Sequence, residues 1–102
     1  MNYDNKELKE IMNYVKEEPV FFLVNGNECR LLSKEEINDY KTYLQTNIDN
    51  IVPLIDLMDN NFIVYVIEEN NFKMLNITDD ILYKNVDDIN SYIEMIKLEN
   101  NK

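Results

Sequence analysis

The stretch that decides the fold is IVPLIDLMDNNFIVYVIEENNFKMLNI, running from Ile51 to Ile77. It holds three apolar runs of about six residues, Ile51 to Leu57, Phe62 to Ile67 and Phe72 to Ile77, separated by Met58-Asp59-Asn60-Asn61 and Glu68-Glu69-Asn70-Asn71. Runs of this length are too short for amphipathic helices. They are bounded by Asn and Asp, which form turns by bonding their own backbone, so they read as a three-strand antiparallel meander. Phe62 to Ile67 is apolar at all six positions, which predicts cover on both faces and a central place in the sheet. Pro53 lacks an N–H for a ladder and predicts an edge strand or a strand start for its own run.

Upstream, Val20 to Val24 ends at Asn25-Gly26-Asn27, which holds the only glycine of the chain, and Glu28 to Leu32 follows as a partner strand. Asn-Gly between two such runs predicts a tight hairpin. Before it, Leu8, Ile11, Met12 and Val15 recur at helical spacing, predicting a helix from about Asp4 to Glu17 that Pro19 blocks. After it, Ser33 stands three residues before Glu36 in an S-x-x-E capping box, and Ile37, Tyr40 and Leu44 share one face of a second helix, from about Lys34 to Asn47. Ile81 to Val86 reads as either strand or loop. From Asp87 the spacing of Ile89, Tyr92, Ile93 and Ile96 restores a helix, with Asp87 and Asp88 in its first turn, where the macrodipole favours acids. The expected fold class is α+β, an antiparallel sheet (hairpin plus meander) packed by two or three helices, in a single domain spanning residues 1–102.

Composition narrows the chemistry. The 102 residues carry 10 Lys and Arg against 20 Asp and Glu, a formal net charge of −10, with no His, no Trp, no Ala and one Cys. Apolar residues at 45% suffice for a core, so the charge does not imply disorder. Without His the commonest general base and imidazole metal ligand are missing, and one Cys makes neither an intrachain disulfide nor a cysteine metal cluster. No cofactor is expected. The N-terminal residues have neither a basic n-region nor an apolar h-region, and no apolar run approaches the roughly 18 residues of a spanning helix. The expected compartment is a reducing cytoplasm, bacterial or phage-infected. Seventeen Asn and twelve Ile point the same way, toward an AT-rich genome of a low-GC bacterium, a mobile element or a phage. A strongly acidic chain is repelled by nucleic acid and by anionic lipid, so the expected partner is a basic protein, with neither direct nucleic acid nor membrane binding.

Three segments carry a family resemblance. VNGNECRLLSKEEI (Val24 to Ile37) resembles the glycine turn and helix start that open the second conserved block of the SUKH superfamily. IVPLIDLMDNNFIVYVIEENNF (Ile51 to Phe72) is similar to that family's strand pair, in which a Pro-x-x-Asp strand leads through an acidic or Asn-rich turn into an aromatic-apolar strand; here the turn has no glycine. Val86 to Ile96 resembles its C-terminal helix. The resemblance covers roughly Val24 to Lys97 and suggests a divergent, short member. It implies an α+β protein-binding scaffold, most often an immunity protein that neutralises a nuclease or deaminase toxin, and it brings no catalytic constellation.

From Asp49 to Glu94 ten acids face only Lys73 and Lys84, a net of −8 in that segment. Asp56, Asp59, Glu68, Glu69, Asp79, Asp80, Asp87 and Asp88 lie mainly in turns or at element ends and are the candidate partner-binding residues. Gathered on one surface, their field would steer a basic partner and raise its on-rate. Left apart, they are solvated caps and turn formers. As paired carboxylates for acid–base or Mg²⁺ chemistry, Asp56 with Asp59 and Asp79 with Asp80 lack any glycine-containing calcium loop, phosphate-cradling loop or Lys partner. Cys29 lies beside Glu28, which raises a thiol pKa, and has no His to activate it. Tyr14, Tyr40, Tyr43 and Tyr92 read as half-buried edges of the core on their helices. The expected role is binding, not catalysis: an immunity-type inhibitor docking on a basic nuclease, deaminase or other nucleic-acid enzyme. The alternatives are a phage-encoded anti-defence protein, such as a nuclease or CRISPR inhibitor that mimics nucleic acid, and a structural or oligomerisation module.

Overall fold

A computed structural model describes residues 5–44 and 50–102. In chain order the elements are α1 (Lys6–Tyr14), β1 (Val20–Val24), β2 (Asn27–Leu31), α2 (Lys34–Leu44), β3 (Ile51–Asp56), β4 (Asn61–Val66), β5 (Asn71–Asn76), β6 (Ile81–Asn85) and α3 (Ile89–Asn100). The fold is α+β. All six strands join one antiparallel sheet in sequence order, so hairpin and meander are continuous through the β2–β3 pair. The radius of gyration is 12.6 Å.

Cross-strand partners share a face, so the register sorts the core into two layers. Phe22 opposite Cys29, Leu31 opposite Ile55 and then Ile63, and Tyr65 opposite Phe72 line one face, against which α3 packs alongside α1. Phe62 opposite Leu75 lies on the other, where the Tyr40 ring of α2 meets Phe62 edge-on at 5.0 Å between centroids. Helices on both faces explain why Phe62 to Val66 is buried at every position. β4 is therefore an inner strand, as its unbroken apolar run predicts.

Local chemistry sets the joints. Asn25 (φ 52°) and Gly26 (φ 81°) both take positive φ, the pair of conformations that a type I′ turn needs and that Asn-Gly supplies most easily. The capping box forms in both directions: the Ser33 hydroxyl accepts from the Glu36 N–H (3.2 Å) and the Glu36 carboxylate from the Ser33 N–H (3.1 Å). The Asn5 side chain caps α1 by accepting from Leu8 N–H at 2.9 Å, and Val15 turns extended well before Pro19, so α1 is shorter than its periodicity suggests. The end of α2 expected at Asn47 lies outside the described residues, as does the Tyr43 side chain. Asp87 and Asp88 precede α3 instead of occupying its first turn, with Asp88 at the N-cap.

One strand differs from expectation, and another settles a segment left open between strand and loop. Pro53 sits in β3, an inner strand, not at an edge. Among the described residues β2 pairs only with Ile55 and Asp56 of β3, and the register of β3 against β4 shifts between Pro53 and Ile55. The proline thus lies where β3 has no strand on its β2 side, which is how an inner strand tolerates it. Ile81 to Asn85 is a strand, β6, at the sheet edge; a register shift against β5 and exposure of most of its residues blur its alternation.

Met58 carries the one backbone penalty that sequence makes avoidable. It holds φ 65° in the β3–β4 turn and is 51% exposed, whereas the other non-glycine residues with positive φ among those described are Asn or Asp. A side chain without local hydrogen bonding pays about 1–2 kcal/mol there. Met58→Gly is expected to raise stability by about 0.5–1 kcal/mol, after allowing for the looser unfolded chain, and so to lift the melting temperature by about 3–6 °C in calorimetry.

Candidate protein-binding end

The turns of an antiparallel meander fall alternately at its two ends, so the eight candidate acids do not form one face. Asp59 in the β3–β4 turn and Asp79 and Asp80 in the β5–β6 turn share one end. The Ile77 N–H bonds the Asn60 carbonyl at 2.9 Å, which ties these two turns directly together, and the Tyr83 hydroxyl reaches Asn61 at 2.9 Å. The β1–β2 turn is at this end as well, and brings Glu28. Glu68 and Glu69 lie at the opposite end, about 20 Å away along six-residue strands. Asp87 and Asp88 stand at the start of α3; burial first, and then the charge of Asp88, raise the pKa of Tyr92.

Local partners separate these acids further. Asp56 is half-buried and accepts from Arg30 at 3.1 Å and from the Met58 N–H at 2.8 Å. Asp59 accepts from the Asn61 backbone (3.3 Å) and side chain (3.2 Å), an Asx turn that leaves it exposed. At the far end Glu68 accepts from Asn50 at 3.0 Å and Glu69 pairs with Lys73 at 2.9 Å. Neither the β3–β4 nor the β5–β6 turn contains a Lys or Arg. The first end thus gathers Glu28, Asp59, Asp79 and Asp80 around two turns that carry no cation of their own. Arg30, the cation beside the β3–β4 turn by register, is committed: its guanidinium joins Glu36 of α2 to Asp56 of β3, while Lys84 of β6 stands opposite Met74. Burial alone would lower the Arg30 pKa and raise that of Glu36. The hydrogen bonds overcome it in both, so Arg30 moves up and Glu36, held also by the Ser33 N–H, moves down.

A cleft of about 450 Å³ opens at the acidic end between the hairpin, the β3–β4 turn and α3; Glu28, Cys29, Met58, Asp59, Met74 and Tyr92 are among its lining residues. Cys29 is 3% exposed, and its thiol pKa is pushed up to about 11, by burial first and then by Asp59, Asp56 and Glu28. It stays a thiol near neutral pH and donates weakly to the Asn27 carbonyl at 3.7 Å. Among the described residues no three Cys, Asp or Glu side chains gather as a metal-binding group. A larger apolar groove, about 630 Å³, lies between α1 and α2 over Leu8, Met12, Ile37 and Val52, and no acid is among its described lining residues.

The sequence singles out Asp59, Asp79 and Asp80 but gives no sign that Glu28, Met58, Met74 and Tyr92 are neighbours in one cleft. Tyr92 has one readable signal, its position four residues after Asp88, which puts both on one side of a helix. Compared with known proteins, the chain matches no family model, no curated protein and no solved structure. No helix among the described residues is long and apolar enough to cross a membrane.

Proposed function

We propose that this chain is a small protein-binding inhibitor of the immunity type, which docks its acidic end on a basic, nucleic-acid-processing protein such as a nuclease or deaminase toxin. The observation that carries this reading is the joining of two turns by the Ile77–Asn60 hydrogen bond, which brings Asp59, Asp79 and Asp80 together near Glu28. Carboxylates clustered on a rigid sheet end speed encounter with a cationic surface and fix its orientation. The resemblance to SUKH proteins supports the same role. An anti-defence protein of phage origin would use the same surface against a nuclease or CRISPR enzyme. Mimicry of nucleic acid would then be local, since four carboxylates match the phosphates of only about two base pairs. Reversal of Asp59, Asp79 and Asp80 to Lys is expected to abolish co-purification of the partner from its host at low salt. Reversal of Glu68 and Glu69 is expected to leave it, and identification of the partner as toxin or defence enzyme separates the two roles. Capture that survives the first reversal would sink the acidic-end reading.

One observation favours self-association as a second reading. β1 is an edge strand without charge, and Phe21 and Leu23 are 49% and 54% exposed on it. In a two-residue hairpin the pairs Val24–Asn27 and Phe22–Cys29 exchange the hydrogen bonds, so Phe21 and Leu23 direct their N–H and C=O groups to the free edge. A second copy can pair there about a two-fold at Phe22, setting Phe21 opposite Leu23 with no charge apposed. Light scattering is expected to show a mass that rises with concentration and returns to 12.3 kDa in Leu23→Lys. A constant monomer mass at high concentration removes this reading.

A further inference from the structure

Tyr92 poses a question the fold does not answer. It is only 9% exposed, it lines the cleft at the acidic end, and its hydroxyl has no hydrogen-bond partner among the described residues. Among the described residues the sealed side-chain atom without a partner is Asn71 Oδ1; the Tyr92 hydroxyl instead opens on the cleft, its donor and acceptor free for a group that arrives from outside. Its surroundings define that group. Glu28 and Asp59 put two carboxylates at the cleft, Met58 and Met74 give it adaptable apolar walls, and its volume of about 450 Å³ lies within the range of sites that enclose a single small ligand. An anion is repelled there. A soft metal would need a thiolate, whereas Cys29 keeps its proton.

We infer that this cleft receives one Lys or Arg side chain of the docked protein, its cationic head held by Glu28, Asp59 and the Tyr92 hydroxyl and its alkyl stem lying on Met58 and Met74. The inference rests on the docking role proposed above and supplies its anchor. A long cationic side chain matches the site in both parts, because its stem is apolar and its head carries several donors and no acceptor. The anchor would sit at the centre of the acidic end, desolvated within the cleft, where interface residues contribute most.

The test uses the folded chain labelled at its Met methyl groups, with end-blocked Gly-Lys-Gly and Gly-Arg-Gly as probes and end-blocked Gly-Gln-Gly as the neutral control, at low salt. The basic peptides are expected to cause saturable NMR shifts at Met58, Met74 and the Tyr92 ring while Met12, in the other groove, stays still. Combining Glu28→Gln with Asp59→Asn is expected to weaken binding roughly tenfold, and Tyr92→Phe severalfold with the melting temperature unchanged. Equal shifts from the neutral peptide, or shifts that follow Glu68 and Glu69 instead of the cleft, overturn the inference. So does binding unaffected by Glu28→Gln with Asp59→Asn, a pair of exposed changes that leaves the core intact should Tyr92→Phe not fold. Partner capture that still depends on Asp79 and Asp80 while the cleft takes no basic peptide defeats the anchor alone. Loss of that dependence defeats the docking reading instead.

Discussion

Ile63→Ala is expected to lower the stability of the domain by about 3–4 kcal/mol and its melting temperature by about 15–25 °C. Ile63 is fully buried in β4, between Ile55 of β3 and Met74 of β5, on the face that α1 and α3 cover. Truncation removes apolar area and leaves a cavity that flanking strands, each hydrogen-bonded in register, cannot close. For a domain held by about 5–15 kcal/mol this is a large fraction of the total. Calorimetry of the variant beside the parent measures it. A loss under about 1 kcal/mol would mean that β4 is not the packed centre of the sheet.

Arg30→Met is expected to cost about 2–3 kcal/mol at pH 7, because it leaves Glu36 and Asp56 without their shared cation in a half-buried site. It also loosens the tie between the start of α2 and the end of β3. The effect depends on pH. Glu36 has a pKa below its ordinary 4.5 in the folded chain, so its contribution is present above that value and is lost as pH falls through the folded pKa. Urea midpoints of the parent should therefore drop from pH 6 to pH 3, while those of the variant, whose Glu36 lacks the guanidinium, should drop less. Urea is the denaturant of choice since it leaves ion pairs unscreened. Parallel pH curves for the two proteins would show that Arg30 does not hold Glu36.

Elements governed by local chemistry are legible in the sequence itself. Asn25-Gly26 needs only two positive φ values, and the Ser33–Glu36 box needs only one turn of helix, so each is written within four residues. The abundance of Asn has a structural use as well: Asn25, Asn50, Asn60 and Asn70 all hold positive φ, doing in these turns what a single glycine cannot. What the sequence hides is set by pairing at a distance. Pro53 reads as an edge residue because the absence of β2 beside the first half of β3 is a fact of register. β6 is obscured because a shifted edge strand loses its alternation. The acids of the meander are plain in the sequence, but their sorting to two ends follows from strand direction. The depth of Tyr92 depends on α3 crossing to β1.

The central claim is that one end of this sheet, and not the whole acidic surface, binds a basic protein. The direct measurement is the affinity of the captured partner for three forms of the chain at two salt concentrations: parent, the Lys reversal of Asp59, Asp79 and Asp80, and the Lys reversal of Glu68 and Glu69. Binding that weakens steeply with salt, is lost in the first variant and is kept in the second is the predicted result. Equal loss in both variants, or binding indifferent to charge and salt, would contradict it.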